Sequence, residues 1–154
     1  MTERALLHVQ HLLGVGHLRR TLTLARALAE AGVETVVASG GFPVPNLAAP
    51  GVRVVQLPAA RAADATFKTL LDAQDRPVDD AWRAARRDAL LALFAAVDPT
   101  ILVIELYPFG RRLLRFELEP MLEAAGARPR RPLVACSLRD ILHPPAADRV
   151  DGIV

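Results

Sequence analysis

Several features are scarce or missing in this sequence, and each absence excludes a class of protein. Cys136 is the only cysteine among the 154 residues, so no disulfide can form within the chain, which fits a reducing compartment. No run of about 18 uncharged apolar residues occurs, so we expect no transmembrane helix. The short N-terminal apolar run has no small-residue cleavage site, so we expect no signal peptide. These absences favour a cytoplasmic protein.

The sequence also lacks a large excess of positive or negative charge. The formal net charge is only +2, too little for a bulk positive field that would bind nucleic acid or a membrane surface. Lys68 is the only lysine, so almost all of the 19 basic residues are arginines, whose guanidinium groups can pair with carboxylates or phosphates. Hydrophobic residues make up 52% of the chain and charged residues 23%, which predicts one globular domain with its own core.

Apolar runs and helical periodicities alternate along the chain. Short apolar runs predict five buried strands, at residues 5–10, 33–38, 52–57, 100–106 and 133–137. Apolar residues at spacings of three and four predict helices, at residues 18–31, 79–97 and 111–125. This alternation favours an α/β domain with a Rossmann-like, mainly parallel sheet of about five strands and flanking helices.

Local signals refine these elements. Gly32 follows the first helix where a C-terminal glycine belongs, and Asp79 or Asp80 can cap the second helix. Residues 58–78 are polar and poorly periodic, which predicts a long connection that can be mobile. Pro120 lies inside the third predicted helix and should kink or split it.

The stretch VQHLLGVGHLRR, residues 9–20, joins the first strand to the first helix. Gly14 and Gly16 let the backbone turn tightly and approach a ligand, and the free N–H groups of the following helix favour an anion such as a diphosphate. A dinucleotide fingerprint fits poorly, because its third glycine would be Arg19 and no acidic residue follows the second strand. A P-loop is excluded because the chain has no G-K-[ST].

His17 stands at the mouth of this loop. An imidazole titrates near neutral pH, so a histidine here can take a proton from a sugar hydroxyl or from water. It can equally cap the helix or bond a neighbouring carbonyl group, and the spacing leaves both interpretations open. We expect His8 to be a core residue, and His11 lies outside the motif. The four histidines show no zinc-site spacing, so we expect no metal.

Residues 14–41, GVGHLRRTLTLARALAEAGVETVVASGG, resemble the N-terminal domain of GT-B glycosyltransferases. They are most similar to the family 28-like group that includes the lipid II-forming N-acetylglucosaminyltransferase, in which a Gly-rich loop ending in G-H precedes the first helix. ELYPFGRRLLRFELEPMLEAA at residues 105–125, followed by CSLRDIL, is similar to an uncharacterised bacterial glycosyltransferase group of this superfamily. The resemblance implies that residues 1–154 are the Rossmann-like N-terminal half of a GT-B fold.

The resemblance also implies a function. GT-B enzymes have two such domains, and the C-terminal domain, which carries most contacts to the nucleotide-sugar donor, is absent from these residues. The chain is therefore expected to bind the acceptor, to form one wall of the cleft and to be inactive without the donor domain or a partner chain. The expected reaction moves a sugar from a nucleotide sugar to an acceptor hydroxyl, with inversion and with His17 as general base. It needs no cofactor.

The residues expected to contact substrate lie at the carboxyl ends of the strands. Arg19 is expected to face a phosphate, while Arg20, its neighbour on the helix, faces solvent. Glu105 either bonds an acceptor hydroxyl or pairs with an arginine. Arg111 opens a predicted helix where the dipole disfavours a cation, which indicates anion binding. The remaining candidates for substrate contact are Gly14, Gly16, Ser39, Gly40, Tyr107, Ser137 and Arg139.

Two other functions stay open at this point. A similar G-x-G-H-x-x-R loop occurs in nucleotide-sugar hydrolases of flagellin-sugar pathways, where the histidine serves water, so hydrolysis is one alternative. The other is a non-catalytic partner subunit of a glycosyltransferase split into two chains. A lipid acceptor would add peripheral contact with the inner face of the membrane, although the small net charge gives it little support. The sequence does not identify the sugar, the nucleotide or the acceptor.

Overall fold

The computed structural model describes residues 2–138 of the chain, which fold around one large sheet. The strands are β1 (Arg4–Val9), β2 (Glu34–Ser39), β3 (Val52–Gln56), β4 (Arg61–Ala62), β5 (Leu70–Leu71), β6 (Ile101–Glu105) and β7 (Leu133–Ser137). The helices are α1 (Gly16–Glu30), α2 (Asp80–Val97) and α3 (Arg115–Gly126), with a 3₁₀ turn at Arg112–Leu114. Five parallel strands form the sheet in the order β3-β2-β1-β6-β7. The predicted α/β, Rossmann-like fold is confirmed.

Helices cover both faces of this sheet. On one face, α1 packs Leu18 and Leu22 against alternate side chains of β1 and β2. On the other face, α2 and α3 pack against each other and over Leu6 and Leu102. The two apolar clusters are separate because successive side chains of a strand point to opposite sides. Continuous apolar strands such as β1 and β6 are what a sheet covered on both faces requires.

Two helix ends have the local chemistry that the sequence predicts. Gly32 adopts a φ of 87° beyond α1, and its N–H donates to the carbonyl of Ala29 at 3.0 Å. Asp79 precedes α2, and its side chain accepts a hydrogen bond of 2.7 Å from the N–H of Trp82. These contacts satisfy backbone groups that the helices themselves leave without partners.

The connection between β3 and α2 is more ordered than the sequence predicts. Residues 58–78 contain the antiparallel pair of β4 and β5, in which Ala62 lies opposite Leu70. Both side chains are buried. The sequence does not indicate this pair, because two-residue strands are too short to produce a periodic pattern.

The third helix begins later than predicted and is not split. Arg111 lies outside it in the left-handed region, with a φ of 61°, and the 3₁₀ turn comes between them. From Arg115 onward α3 continues through Pro120 to Gly126. Proline removes one hydrogen bond of the helix. Burial of Leu118 and Met121 on either side of Pro120 keeps the turns packed on the core.

A polar network is buried between α2, α3 and the sheet. Arg86 of α2 and Glu117 of α3 are fully buried, with Nε of Arg86 2.7 Å from Oε2 of Glu117. Nε2 of His8 lies 3.1 Å from Oε1 of Glu117, so His8 is a core residue as predicted. Burial raises the pKa of Glu117, but the Arg86 charge and the bonds from His8 and Arg86 outweigh it, so this pKa lies below its ordinary value.

The same network reaches the loop after β2. Nη1 of Arg86 donates to the carbonyl of Gly40 at 3.1 Å, and Nη2 donates to Oε1 of Gln10 at 2.7 Å. A Cβ atom at position 40 would overlap both of these side-chain groups. A side chain at position 40 would force both groups to shift, and each is buried and held by further hydrogen bonds, Arg86 to the carbonyl of Pro58 and Gln10 to that of Ala60.

We expect Gly40→Ala to lower the free energy of unfolding by about 1–3 kcal/mol, the usual cost of overpacking a tight core. Urea unfolding followed by the fluorescence of Trp82, the only tryptophan, measures the change. Gly126→Ala is the matched control, because a Cβ there meets nothing within 4 Å, and we expect it to change stability by less than about 1 kcal/mol. Equal stabilities for the two variants would contradict the clash.

Candidate functional site

The carboxyl ends of the parallel strands place two predicted site residues together. β1 and β6 are neighbours in the sheet. His17 is in the first turn of α1, which follows β1, and Glu105 is the last residue of β6. Open parallel sheets bind their ligands at this edge. The candidate site is therefore built around His17 and Glu105.

Glu105 holds the ring of His17. Nδ1 of His17 lies 2.5 Å from Oε1 of Glu105, whose side chain is 2% exposed, while that of His17 is 20% exposed. An ionised carboxylate only accepts hydrogen bonds, so Nδ1 of the neutral ring carries the proton and Nε2 is left as an acceptor. Within residues 2–138, Nε2 has no hydrogen-bond partner. The pair thus presents a basic nitrogen on a partly exposed ring.

Glu105 also faces Arg111. Its Oε2 lies 3.9 Å from Nε of Arg111, too far for a hydrogen bond, and in the described part of the chain neither atom has another hydrogen-bond partner. Burial lowers the pKa of Arg111, and the Glu105 charge partly restores it. Glu105 thus pairs with an arginine, one of the two roles that the sequence left open. It also pairs with His17, a contact that the sequence did not indicate.

His11 adds a second histidine that the sequence left outside the motif. It follows β1, is 7% exposed and packs its ring against Gly41, where a Cβ would overlap the ring. Its Nδ1 has no hydrogen-bond partner within residues 2–138. Burial lowers the pKa of His11; a bond with the backbone of Phe42 raises it, and the charges of Arg111 and His17 lower it further. Its position just past the end of β1 was the signal that could have found it.

Gly14 and Gly16 are not required by the backbone of the protein itself. Neither has a positive φ, and a Cβ on either would meet nothing within 4 Å. The local backbone conformation therefore does not itself require glycine at either position. Their missing side chains leave open space in front of α1, whose N-terminus has no side-chain cap and no acidic residue in its first turn. Its first N–H groups are thus available to an anion.

The structure corrects the prediction for Arg20, which the sequence expects to face solvent. Arg20 lies three residues after His17, hence on the same side of the helix, and its guanidinium donates to the carbonyl of Leu138 beyond β7. Arg19 is exposed and lines a surface groove with Leu22 and Leu47. Neighbouring residues of a helix point about 100° apart, and of the two it is Arg20 that contacts this edge of the sheet. The phosphate contact expected of Arg19 stays a prediction.

Two candidates after β2 are buried rather than exposed. Ser39 is the last residue of β2, and its carbonyl accepts the N–H of Leu57 at 2.9 Å. Gly40 follows it and is bound by Arg86, as described above. Both residues are therefore buried and hold the neighbouring loops through their backbone carbonyls.

The candidates near β7 and after β6 also have structural contacts. The carbonyl of Ser137 accepts the N–H of Leu106 at 3.0 Å. The hydroxyl of Tyr107 lies 3.2 Å from Oε1 of Glu119 on α3, and burial together with this carboxylate raises the pKa of Tyr107. Tyr107 is thus tied to α3. Arg139 lies outside the described residues.

Among residues 2–138, no three His, Cys, Asp or Glu side chains are placed to hold a metal ion together. No helix in that range is both long and apolar enough to cross a membrane. Burial and the nearby charge of Glu105 raise the pKa of the Cys136 thiol, so it stays protonated at neutral pH and is a poor nucleophile.

His11 predicts a pH dependence of stability. Its folded pKa lies below the ordinary value of 6.5, so between these two values the unfolded chain binds more protons than the folded one. Its contribution is fully present above 6.5 and is lost as the pH falls through the folded pKa. We therefore expect the stability difference between the native chain and His11→Gln to shrink from about pH 7.5 to about pH 5.5, in urea unfolding at each pH. A constant difference would show that His11 titrates alike in both states.

The chain was compared with known proteins. No protein-family model matches it, and no curated protein matches it. Among solved structures, it is similar to that of Phytolacca americana UGT2 complexed with UDP-2fluoro-glucose and pterostilbene, with 17% identity and a TM-score of 0.44. The likeness covers 77% of this chain and 29% of that chain, so this chain spans less than a third of its length. A similarity of this size assigns no family, and the function is inferred from the geometry of the site and the sequence motifs.

Proposed function

We propose that the chain is the acceptor-binding half of a glycosyltransferase that moves a sugar from a nucleotide sugar to an acceptor hydroxyl. The observation that carries the proposal is the 2.5 Å contact between Nδ1 of His17 and Oε1 of Glu105 at the carboxyl edge of the sheet. It leaves a basic Nε2 next to the open space before α1. The resemblance of residues 14–41 and 105–125 to GT-B N-terminal domains supports the same function.

His17 is the general base of the proposed reaction. Its Nε2 takes the proton of the acceptor hydroxyl while the hydroxyl oxygen forms a bond to the anomeric carbon of the sugar. The bond from that carbon to the diphosphate oxygen breaks, and the nucleotide diphosphate leaves with the electron pair. Attack from the side opposite the leaving group inverts the configuration. Glu105 keeps Nδ1 protonated and stabilises the imidazolium that forms.

Positive groups around His17 match the negative charge of such a substrate. The N-terminus of α1 carries free N–H groups and the positive end of the helix dipole. Arg111 is largely buried, with its Nε at 3.9 Å from the carboxylate of Glu105. In this proposal these groups contact phosphate oxygens. A separate C-terminal domain or partner chain supplies the remaining contacts to the donor.

The first experiment tests this division between two halves. The purified chain is titrated calorimetrically with UDP-glucose and UDP-N-acetylglucosamine, alone and after addition of a donor-domain protein encoded downstream in the same or the next gene. We expect no binding heat from the chain alone and both binding and sugar transfer with the second domain. Tight binding by the chain alone would contradict the division. Release of free sugar, with no transfer to any hydroxyl acceptor, would identify a hydrolase instead.

In the reconstituted enzyme, we expect His17→Ala to lower kcat by at least about 100-fold, because the hydroxyl loses its proton acceptor. Glu105→Gln keeps the size of the side chain but removes its charge, and we expect a loss of about 10- to 100-fold. Steady-state transfer assays measure both effects. Arg26→Ala is the matched control on α1, because its side chain is 53% exposed and lies away from the site. Near-normal turnover of His17→Ala would reject the proposed base.

A further inference from the structure

Arg86 carries a positive charge inside the hydrophobic core, where apolar side chains are the usual occupants. It is 0% exposed and lies on the buried face of α2, one turn after Trp82 and one turn before the buried Leu90. A buried ion pair stabilises a fold no better than well-packed apolar side chains of similar volume, and often less. The position of Arg86 therefore has to be explained by what its hydrogen bonds hold.

These hydrogen bonds end on loops at the carboxyl edge of the sheet. Nη1 of Arg86 donates to the carbonyl of Gly40 at 3.1 Å and to that of Pro58 at 2.7 Å. Nη2 donates to Oε1 of Gln10 at 2.7 Å. The amide of Gln10 continues the chain of bonds, because its Nε2 donates to the carbonyl of His11 at 2.8 Å. One guanidinium thus fixes the segments that follow β1, β2 and β3.

Glu117 fixes the guanidinium from the opposite side. Its Oε1 accepts from Nη2 of Arg86 at 2.9 Å, and its Oε2 lies 2.7 Å from Nε. Nε2 of His8, at 3.1 Å, holds the same carboxylate. Because Glu117 belongs to α3 and His8 to β1, three elements of the fold define the position of one charged group. Its orientation is consequently rigid.

Two parts of this hydrogen-bond network contact His11, one through Gln10 and one through Gly40 and Gly41. Gln10 binds the carbonyl of His11 directly. Gly40 is followed by Gly41, against which the ring of His11 packs so closely that a Cβ would overlap it. The ring in turn lies within electrostatic reach of Arg111 and His17. Movement of residues 40–41 would therefore move one wall of the candidate site.

We propose that Arg86, held by Glu117 and acting through Gln10, is a positioning residue that sets His11 and residues 40–41 relative to His17. The proposal rests on the proposed function for the chemistry of the site, although its geometry can be tested without that chemistry. A displaced wall misplaces the acceptor hydroxyl relative to Nε2 of His17. Such misplacement lowers kcat more than it raises KM, because the lost alignment matters most in the transition state.

The test uses the full chain and two variants. Arg86→Met combined with Glu117→Leu replaces the ion pair by apolar side chains and leaves no unpaired charge in the core. Gln10→Met keeps the ion pair and removes the bonds of the Gln10 side chain to Arg86 and to the carbonyls of His11 and Ala60, so it decides the question should the double variant not fold. The readout is the pH titration of the His11 ring by NMR. In both variants we expect its pKa to rise toward the ordinary 6.5, because looser loops admit water.

Leu90→Ala is the matched control for a merely structural role. Leu90 is fully buried on the same helix and bonds to none of these loops, so its truncation opens a cavity without releasing them. We expect a loss of stability with an unchanged His11 titration. An unchanged His11 titration in Gln10→Met, or a shift as large in Leu90→Ala, would overturn the proposal.

Transfer assays in the reconstituted enzyme separate this proposal from the proposed function. We expect kcat of Gln10→Met to fall about 10- to 100-fold with KM changed less than about threefold. Absence of transfer by the native enzyme would reject the glycosyltransferase and leave the NMR result to decide the positioning role. Normal kcat in a variant whose His11 titration has shifted would reject the positioning role alone.

Discussion

The buried ion pair between Arg86 and Glu117 is the contact on which the arrangement of this fold depends. Removing two charges from water is costly, and hydrogen bonds from other groups must offset part of that cost. Here these bonds come from the sheet and its loops: His8 of β1 bonds Glu117, while Gln10 and the carbonyl of Gly40 accept from Arg86. Removal of one charge alone would leave the other buried and unpaired, at a cost of about 3–5 kcal/mol. The pair therefore fixes the loops of the site and the core together.

Residues 2–138 contain two histidine–carboxylate pairs, and the pairs differ in their burial. His8 and Glu117 are 1% and 0% exposed, so that pair can exchange no proton with a ligand. His17 and Glu105 have the same pairing of groups at the edge of the sheet, but the imidazole there is 20% exposed. The first pair binds helices to strands. In the proposed reaction the second holds the base where a hydroxyl can reach it, and the difference comes from position in the fold rather than from residue type.

Much of the fold could be predicted from the sequence because its signals are local. The apolar runs of β1 and β6 and the glycine beyond α1 each report the conformation of their own segment. The strands β4 and β5 were not predicted, because a strand of two residues is too short to show an alternating pattern. The role of Arg86 was not predicted, because a single arginine does not disturb the apolar periodicity of a helix. Its place between Trp82 and Leu90 was nevertheless a signal that it is buried.

The candidate site was less predictable because its key contact joins distant parts of the chain. Glu105 meets His17 only because β6 lies beside β1, and the order of strands follows from packing rather than from local sequence. By contrast, which of Arg19 and Arg20 lies on the same side of α1 as His17 could be predicted from local sequence. A spacing of three from His17 places Arg20 on the same side of α1, so helical geometry alone could have made that choice.

The charges at the edge of the sheet match those of the proposed substrate. Glu105 is shared between His17 and Arg111, and the dipole of α1 adds positive potential without a carboxylate in its first turn. In the proposed reaction, the diphosphate of the donor brings negative charge beside these groups. Binding of the anion then offsets the positive potential of the helix N-terminus and of Arg111 at the place where the acceptor hydroxyl gives up its proton.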